Sequence, residues 1–219
     1  MAKAVIFDFD GVIVHSEPTH LVAVREVVEP LGVRLPQEVY YERYVHLPDR
    51  ELLRRVMNEH GRGVDGPELE LLLAAKHESF ERLVAKGGAV HVYPGVVELI
   101  RACAARVPVG LCTAAQRRSV QAVLGGAGVL GVFTVITTAD DVVRSKPDPL
   151  PYARTSELLG VPAAECVAVE DTLGGLTSAK GAGCRAVAVG HTQARERLGI
   201  ADRYVERVGD LTVEQLLAM

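Results

Sequence analysis

The sequence contains no tryptophan, and aromatic residues make up only 5% of its 219 positions. Its apolar content is nevertheless 48%, so branched aliphatic side chains and alanine must fill most of the core. It also lacks an apolar run long enough to cross a membrane, and its N-terminus does not have the layout of a signal peptide. We therefore expect a cytoplasmic protein with no membrane partner.

Basic residues are too few to indicate a nucleic-acid-binding surface. The chain has 24 Lys and Arg against 28 Asp and Glu, a formal net charge of −4, and no tract rich in Lys and Arg. Cysteine is scarce as well, and no C-x-x-C pair occurs among Cys103, Cys112, Cys166 and Cys184. Because three of the four lie in or beside apolar segments, we expect buried free thiols and no disulfides or zinc ligands.

From about residue 92 onward, short apolar runs alternate with helical segments. The runs are apolar throughout, which indicates a parallel sheet covered on both faces. The alternation predicts a doubly wound, Rossmann-like α/β domain with right-handed crossovers. After a first strand that ends near residue 8, the predicted strands are 107–112, 132–136, 166–170 and 185–189, and the predicted helices are 94–105, 117–124, 148–160 and 173–182.

Residues 15–88 have a different pattern, with no strand-like run. Four of their stretches are amphipathic at helical spacing, namely 21–31, 37–45, 50–60 and 67–86. We therefore expect an α-helical cap inserted after the first strand, and a catalytic core made of residues 1–14 and 89–219. Such an insert is expected to lie over the carboxyl ends of the strands, where open α/β sheets bind ligands.

Two aspartates follow the first apolar run, in the segment Asp8-Phe9-Asp10-Gly11. Asp8 and Asp10 share a face while the chain stays extended, and if the strand ends at Asp8, Gly11 lets Asp10 turn towards the same pocket. Two carboxylates this close repel each other, and a hard divalent cation such as Mg²⁺ relieves the repulsion. By itself, the pair is as typical of a solvated strand end as of a functional site.

Three later segments bring polar residues to the ends of other predicted strands. Thr113 and Ala114 follow the second core strand, Lys146 lies just before a helix, and Glu170-Asp171 ends a strand. A hydroxyl, a lysine and several carboxylates at one sheet edge suit a ligand that needs both charges, such as a phosphate with a metal ion. Lys146 and Thr113 would then hold phosphate oxygens, while the aspartates of the first and last segments hold Mg²⁺.

Each of these residues also has an ordinary structural interpretation. Lys146 alone is typical of a solvated loop, Thr113 of a helix N-cap, and Glu170-Asp171 of a charged strand end. A shared site is the better interpretation, because the ordinary one requires four coincidences in order along the chain.

The four segments together resemble the haloacid dehalogenase (HAD) superfamily, in particular its phosphatase and phosphomutase branch with a small helical cap. The similarity covers nearly the whole chain and rests on D-x-D-G at 8–11, a hydroxyl residue at 113, K-P at 146–147 and E-D-[ST]-x-x-G at 170–175. Two positions depart from the family pattern. His15 stands where the family usually has an acid, and His46 stands near a usual glycine of the cap.

The resemblance implies a Mg²⁺-dependent reaction in which Asp8 attacks phosphorus and forms an aspartyl-phosphate. Asp10 would give a proton to the leaving group and then take one from water, and its backbone carbonyl would bind the metal. The implied catalytic residues are Asp8, Asp10, Thr113 and Lys146. The implied metal ligands are Asp8, Asp10, Glu170 and Asp171, with Glu170 either a direct ligand or a neighbour that supports one.

The same resemblance implies a phosphate-binding set, which consists of Gly11, Thr113, Ala114 and Lys146. Lys146 would neutralise Asp8 and a phosphoryl oxygen, and Thr113 would donate a hydrogen bond to the phosphoryl group. In the cap, His20 and Arg50 are candidate substrate-binding residues. A surface histidine and a solvated helix start are the ordinary interpretations of these two positions.

Two kinds of enzyme in this branch share the four motifs. A phosphatase hydrolyses a small phosphorylated metabolite, whereas a β-phosphoglucomutase-type isomerase reorients a bisphosphate without admitting water. We favour the phosphatase, because the cap stretch 45–49 is apolar and acidic where a mutase would need basic residues. The mutase is the alternative, and a catalytically silent binding module on the same fold is a third hypothesis. We expect a monomer or a weak dimer.

Overall fold

The computed structural model describes residues 1–45, 47–85 and 91–219. The chain divides into two compact units, one formed by Met1–His15 with His91–Met219 and the other by Ser16–Val90. The expected boundary between residues 88 and 89 lies outside the described residues, as do His46 and residue 86, the end of the fourth amphipathic stretch.

The described secondary structure of the Ser16–Val90 unit is helical. Its helices are α1 (Glu17–Val28), α2 (Gln37–Arg43), α3 (Asp49–Glu59) and α4 (Gly66–Ala85). A 3₁₀ turn at Glu29–Leu31 follows α1, and α2 and α3 each begin directly after a proline. The unit has its own apolar core, to which α1, α3 and α4 contribute Val24, Leu53 and Leu69. Each predicted amphipathic stretch therefore corresponds to one helix or to a helix with its 3₁₀ extension.

The other unit contains the strands. They are β1 (Ala4–Phe7), β2 (Val14–His15), β3 (His91–Val92), β4 (Val109–Cys112), β5 (Val135–Thr137), β6 (Cys166–Glu170), β7 (Arg185–Val189) and β8 (Arg203–Val205). Six of them form a parallel sheet in the order β5-β4-β1-β6-β7-β8, and β2 pairs with β3 in a short antiparallel ribbon. The predicted doubly wound α/β fold is confirmed.

Helices connect the strands of this sheet. They are α5 (Val96–Ala104), α6 (Arg117–Gly126), α7 (Leu150–Leu159) and α8 (Leu173–Gly181), and a further helix, α9 (Val213–Leu217), follows the last strand, β8. Every residue of β1, β4 and β6 is buried, as expected for strands covered on both faces. The four cysteines are buried and free, so the expectation of unpaired thiols is confirmed.

The predicted strand at 132–136 is wrong in its first half. Residues Leu130–Val132 form a 3₁₀ turn, and the strand β5 begins only at Val135. The apolar residues Val129 and Phe133 are buried all the same. An apolar run shows that a segment is buried but does not show where it becomes extended. The short strands β2, β3 and β8 were not predicted, because two or three residues carry no periodic signal.

The strand order places the candidate site. Because β1 lies between β4 and β6, the chain changes direction across the sheet at β1, and open α/β sheets bind ligands at the carboxyl ends of such strands. Phe7 is in register with Leu111 on one side and Val169 on the other. The residues that come next, Asp8 and Glu170, therefore emerge at the same edge. Among the described helices, none has the length and apolarity that a membrane crossing requires.

Candidate active site

Lys146 lies at the centre of the sheet edge. Its Nζ donates to Asp8 Oδ1 at 2.7 Å, to Glu170 Oε1 at 2.5 Å and to the carbonyl oxygen of Cys112 at 2.9 Å. These contacts employ all three donors of an ammonium group. The side chain is only 10% exposed, so the interpretation as a solvated loop lysine is wrong.

Glu170 is fully buried and is held by several donors. The hydroxyl of Tyr152 donates to Oε1 at 2.7 Å, and the backbone N–H of Asp171 donates to Oε2 at 3.2 Å. Tyr152 comes from α7 and has no exposed surface. The sequence carries no signal for this residue, since a single tyrosine in a helix belongs to no motif.

Three buried carboxylates come together beside the lysine. Each of Asp8, Glu170 and Asp171 offers one oxygen to a group whose members lie within 4.8 Å of one another. Burial and the charge of Glu170 raise the pKa of Asp8 to about 7, against the opposing effect of Lys146. Burial and the charges of Asp8 and Glu170 also hold the pKa of Asp171 well above its usual range. Burial alone would lower the pKa of Lys146, but the two neighbouring acids hold it well above its usual value.

The acidic group has the character of a site for a hard cation. The Oδ1 atom of Asp171 is buried and has no hydrogen-bond partner among the described residues. A buried carboxylate oxygen without a partner is costly, and oxygen donors of this kind are the ligands that Mg²⁺ takes. The side chain of Asp10 is not part of the three-residue group, although its charge adds to the raised pKa of Asp8. The residues present therefore fit a divalent cation.

Gly11 brings the first loop close to the last one. The strand β1 ends at Phe7, and Gly11 has a φ of 76°, a conformation that favours glycine. A Cβ atom at this position would overlap the carboxylate of Asp171 and crowd the hydroxyl of Thr192. The Gly11 N–H donates to the carbonyl of Val14 at 2.8 Å, which closes the turn. The loop can therefore approach Asp171 only with a glycine here.

Thr113 follows β4 at the same edge and is buried. Its hydroxyl oxygen accepts from the N–H of Ala115 at 2.9 Å, while α6 begins after a different N-cap residue, Gln116. The interpretation of Thr113 as the N-cap of that helix is therefore wrong. Since the hydroxyl oxygen acts as an acceptor in this turn, its proton can be donated to another oxygen. Ala114, the next residue, is exposed.

The close packing of Gly175 against Glu170 can be tested by substitution. A Cβ atom at this position in α8 would overlap the carboxylate of Glu170, whereas one at Gly174 would meet nothing within 4 Å. We expect Gly175→Ala to destabilise the fold by about 1–3 kcal/mol and to displace Glu170. The matched control Gly174→Ala should be neutral or slightly stabilising, because alanine has the higher helix propensity. Urea denaturation of both variants is the measurement, and equal stability of the two would contradict the packing shown.

In the helical unit, one of the two cap candidates contacts a buried lysine. His20 stacks on Phe80 with 4.1 Å between the ring centroids, and its Nδ1 lies 2.8 Å from the Nζ of Lys76. Lys76 is 1% exposed and forms an ion pair with Asp49 at 2.7 Å. Sequence reasoning missed this lysine, although it occupies the apolar face of α4, three residues after Leu73. A lysine at an apolar helical position was the available signal.

Arg50, the other cap candidate, has a different environment. It is exposed and forms an ion pair with Glu70 within the helical unit. The structure therefore does not bring Arg50 into the network of His20 and Lys76. Its role in substrate binding stays a prediction.

Comparison with known proteins assigns the chain to a family. A family model described as haloacid dehalogenase-like hydrolase matches residues 5–189. The chain therefore belongs to the haloacid dehalogenase-like hydrolases, and the resemblance inferred from its motifs is confirmed.

Individual relatives cover most of the chain. β-Phosphoglucomutase from Bacillus subtilis is 29% identical over 219 residues, which span 98% of this chain and 93% of that protein. Phosphoglycolate phosphatase from Rhodospirillum rubrum is 30% identical over 199 residues, with 90% and 83% covered. The crystal structure of CbbY from Rhodobacter sphaeroides in complex with phosphate superposes with a TM-score of 0.80 at 31% identity and covers 99% of both chains.

Proposed function

We propose that this protein is a Mg²⁺-dependent phosphatase that hydrolyses a small phosphorylated metabolite through an aspartyl-phosphate on Asp8. One observation carries the proposal. The buried Lys146 bridges Asp8 and Glu170 beside Asp171, whose Oδ1 has no partner among the described residues. Phosphoryl transfer requires a nucleophile, a positive charge beside it and ligands for a metal ion. Asp8, the ammonium group of Lys146 and the Oδ1 oxygen of Asp171 supply these three parts. The phosphate in the complex of the similar CbbY and the name of the similar phosphoglycolate phosphatase support the same chemistry.

The reaction needs two displacements at phosphorus. A carboxylate oxygen of Asp8 attacks the phosphoryl group, the bond from phosphorus to the substrate oxygen breaks, and Asp10 donates a proton to the departing alkoxide. Water then attacks phosphorus, Asp10 takes a proton from the water, and the bond between phosphorus and the Asp8 oxygen breaks. This step regenerates the Asp8 carboxylate and releases inorganic phosphate. The contact of Lys146 with Asp8 orients the nucleophile for the first step.

The remaining residues of the edge neutralise and orient the phosphoryl group. Lys146 and the hydroxyl of Thr113 would contact its oxygens, where negative charge is spread in the transition state. Gly11 and Ala114 belong to the two loops that would enclose it. Such contacts stabilise the charge of the transition state far more strongly where water is excluded than at an exposed surface.

The carboxylates of Asp8 and Asp171 and the backbone carbonyl of Asp10 would hold the cation. Glu170 fits a supporting role better than direct ligation, because Lys146 and Tyr152 donate to its Oε1 and a backbone N–H donates to its Oε2. When bound, Mg²⁺ would neutralise phosphoryl oxygens and reduce the repulsion between Asp8 and an anionic substrate.

A phosphomutase is the second candidate, and the similarity to β-phosphoglucomutase over 98% of this chain is the observation that favours it. Two cations of the helical unit, Lys76 and Arg50, support the phosphatase instead. Lys76 is paired with Asp49, and Arg50 is paired with Glu70, so neither presents an uncompensated charge to a distal phosphate.

Product analysis separates the two functions. We expect release of free phosphate at every turnover with several monophosphates, in the presence of Mg²⁺ and without added sugar bisphosphate, because water resolves the aspartyl-phosphate. The measurement combines a phosphate-release screen over phosphorylated metabolites with an isomer-resolving assay on β-glucose 1-phosphate. Rapid isomerisation with little free phosphate, and a lag that a bisphosphate abolishes, would establish the mutase.

A further inference from the structure

Three consecutive side chains after β7 contact three different parts of the candidate site. His191 Nδ1 lies 2.7 Å from the carbonyl oxygen of Gly11, and the hydroxyl of Thr192 lies beside the carboxylate of Asp171. The side-chain oxygen of Gln193 accepts the N–H of Leu173, the first residue of α8, at 2.9 Å. We call residues 191–193 the clamp turn. It belongs to none of the four motifs.

The hydrogen bonds of His191 determine which of its two ring nitrogens carries the proton. The backbone N–H of Val208 donates to its Nε2 at 3.2 Å, so Nε2 is the acceptor. Nδ1 therefore carries the proton and donates it to the carbonyl of Gly11. The ring also stacks on Tyr93, with 3.9 Å between centroids. His191 is thereby held from three sides while it holds the loop that carries Asp10.

Thr192 acts on the other side of the same loop. A Cβ atom at Gly11 would lie close to both the Thr192 hydroxyl and Oδ2 of Asp171, so these two groups meet at the glycine. The hydroxyl occupies one side of the Asp171 carboxylate, whereas the buried Oδ1 has no partner among the residues described. A hydrogen bond donated by this hydroxyl to Oδ2 would orient the carboxylate and leave Oδ1 open to a cation.

We infer that the clamp turn positions the cation site: Thr192 aims Oδ1 of Asp171, and His191 fixes the loop that carries Asp8 and Asp10. The inference rests on the proposed Mg²⁺-dependent function. Mg²⁺ tolerates little departure from octahedral geometry, and residues that orient its ligands change affinity by about 10–100-fold when removed. Thr192 and His191 are positioning residues, since neither is expected to touch the substrate.

The test compares Thr192→Val with Thr192→Ser. Valine keeps the shape and removes the hydroxyl, whereas serine keeps the hydroxyl. We expect valine to weaken Mg²⁺ binding by about 10–100-fold and serine to restore it to within about threefold of the wild type. Calorimetric titration with Mg²⁺ alone reports this affinity independently of turnover. In the phosphate-release assay, the Mg²⁺ concentration for half-maximal activity should rise in parallel.

A matched control separates positioning from general stability. Thr212 is the N-cap of α9, and its hydroxyl accepts the N–H of Gln215 at 3.2 Å. Thr212→Val makes the same chemical change outside the site and should cost about 1 kcal/mol of stability with unchanged Mg²⁺ affinity. If Thr192→Val does not fold, Thr192→Ala removes the hydroxyl without a second methyl beside the carboxylate.

The outcomes distinguish a failure of the positioning role from a failure of the proposed function. If the wild type binds Mg²⁺ and the affinity of Thr192→Val for Mg²⁺ is within twofold of the wild-type value, the positioning role is overturned and the proposed function is left intact. A wild-type protein that neither binds Mg²⁺ nor releases phosphate would overturn both. Equal losses of Mg²⁺ affinity in Thr192→Val and Thr212→Val would show a structural effect and would also overturn the positioning role.

Discussion

Asp8→Asn is expected to reduce phosphate release by at least ~1000-fold while the fold is kept. The amide has the shape of the carboxylate and can still accept the hydrogen bond from Lys146, but it is not a nucleophile. The measurement is the steady-state rate on the best substrate of the metabolite screen. Asp65→Asn makes the same change at an exposed position that pairs with Arg54, and it should leave the rate unchanged. An Asp8→Asn rate within tenfold of the wild type would exclude Asp8 as the nucleophile.

The same variant has a second expected effect, on stability. The pKa of Asp8 rises from 3.8 to about 7 on folding, because burial and then Glu170 disfavour its charged form. Between these two values the native state binds more protons than the unfolded state, so the Asp8 contribution to stability falls as the pH rises from about 4 to about 7. Without divalent cation at pH 7.5, Asp8→Asn should therefore melt at a higher temperature than the wild type. The difference should shrink towards pH 4.

Asp171→Ala is expected to abolish both activity and the effect of Mg²⁺ on stability. In the wild type, Mg²⁺ at 100 times its dissociation constant should add about 2.7 kcal/mol to the free energy of unfolding, because it binds only the native state. Removing the carboxylate with the partnerless Oδ1 removes a hard oxygen ligand, so the melting temperature should no longer depend on Mg²⁺. Thermal denaturation with and without Mg²⁺ is the measurement.

The control for Asp171→Ala is a surface aspartate of the same α/β unit. Asp210 is exposed and pairs with Arg207 at 3.3 Å, so Asp210→Ala should keep the stabilisation by Mg²⁺. Chelation with excess EDTA should inactivate the wild type and leave Asp171→Ala without further change. Full wild-type activity in EDTA would contradict the metal requirement.

Many residues of the candidate site at the sheet edge could be predicted, because the sequence patterns that indicate them lie within short segments of the chain. Continuous apolar runs correctly placed β6 and β7, and the polar residues that follow the runs identified Asp8, Lys146 and Glu170 as neighbours. The parallel order of strands then requires their carboxyl ends to meet at one edge. No such requirement exists for Arg50, which periodicity places on a helix without indicating its partner.

Strand and helix periodicities and the four motifs are enough to assign the fold class and the family, because each of them lies within a short stretch of chain. The surroundings of the motifs, in contrast, follow from long-range contacts in the folded chain. The contact of Lys146 with Asp8 joins residues 138 positions apart, and that of His191 with Gly11 joins residues 180 apart. Tyr152 and Thr192 likewise reach the acidic group from elements with no motif of their own. Such contacts have no period and no spacing, since they depend on which strands are neighbours in the sheet and not on which residues are neighbours in the chain.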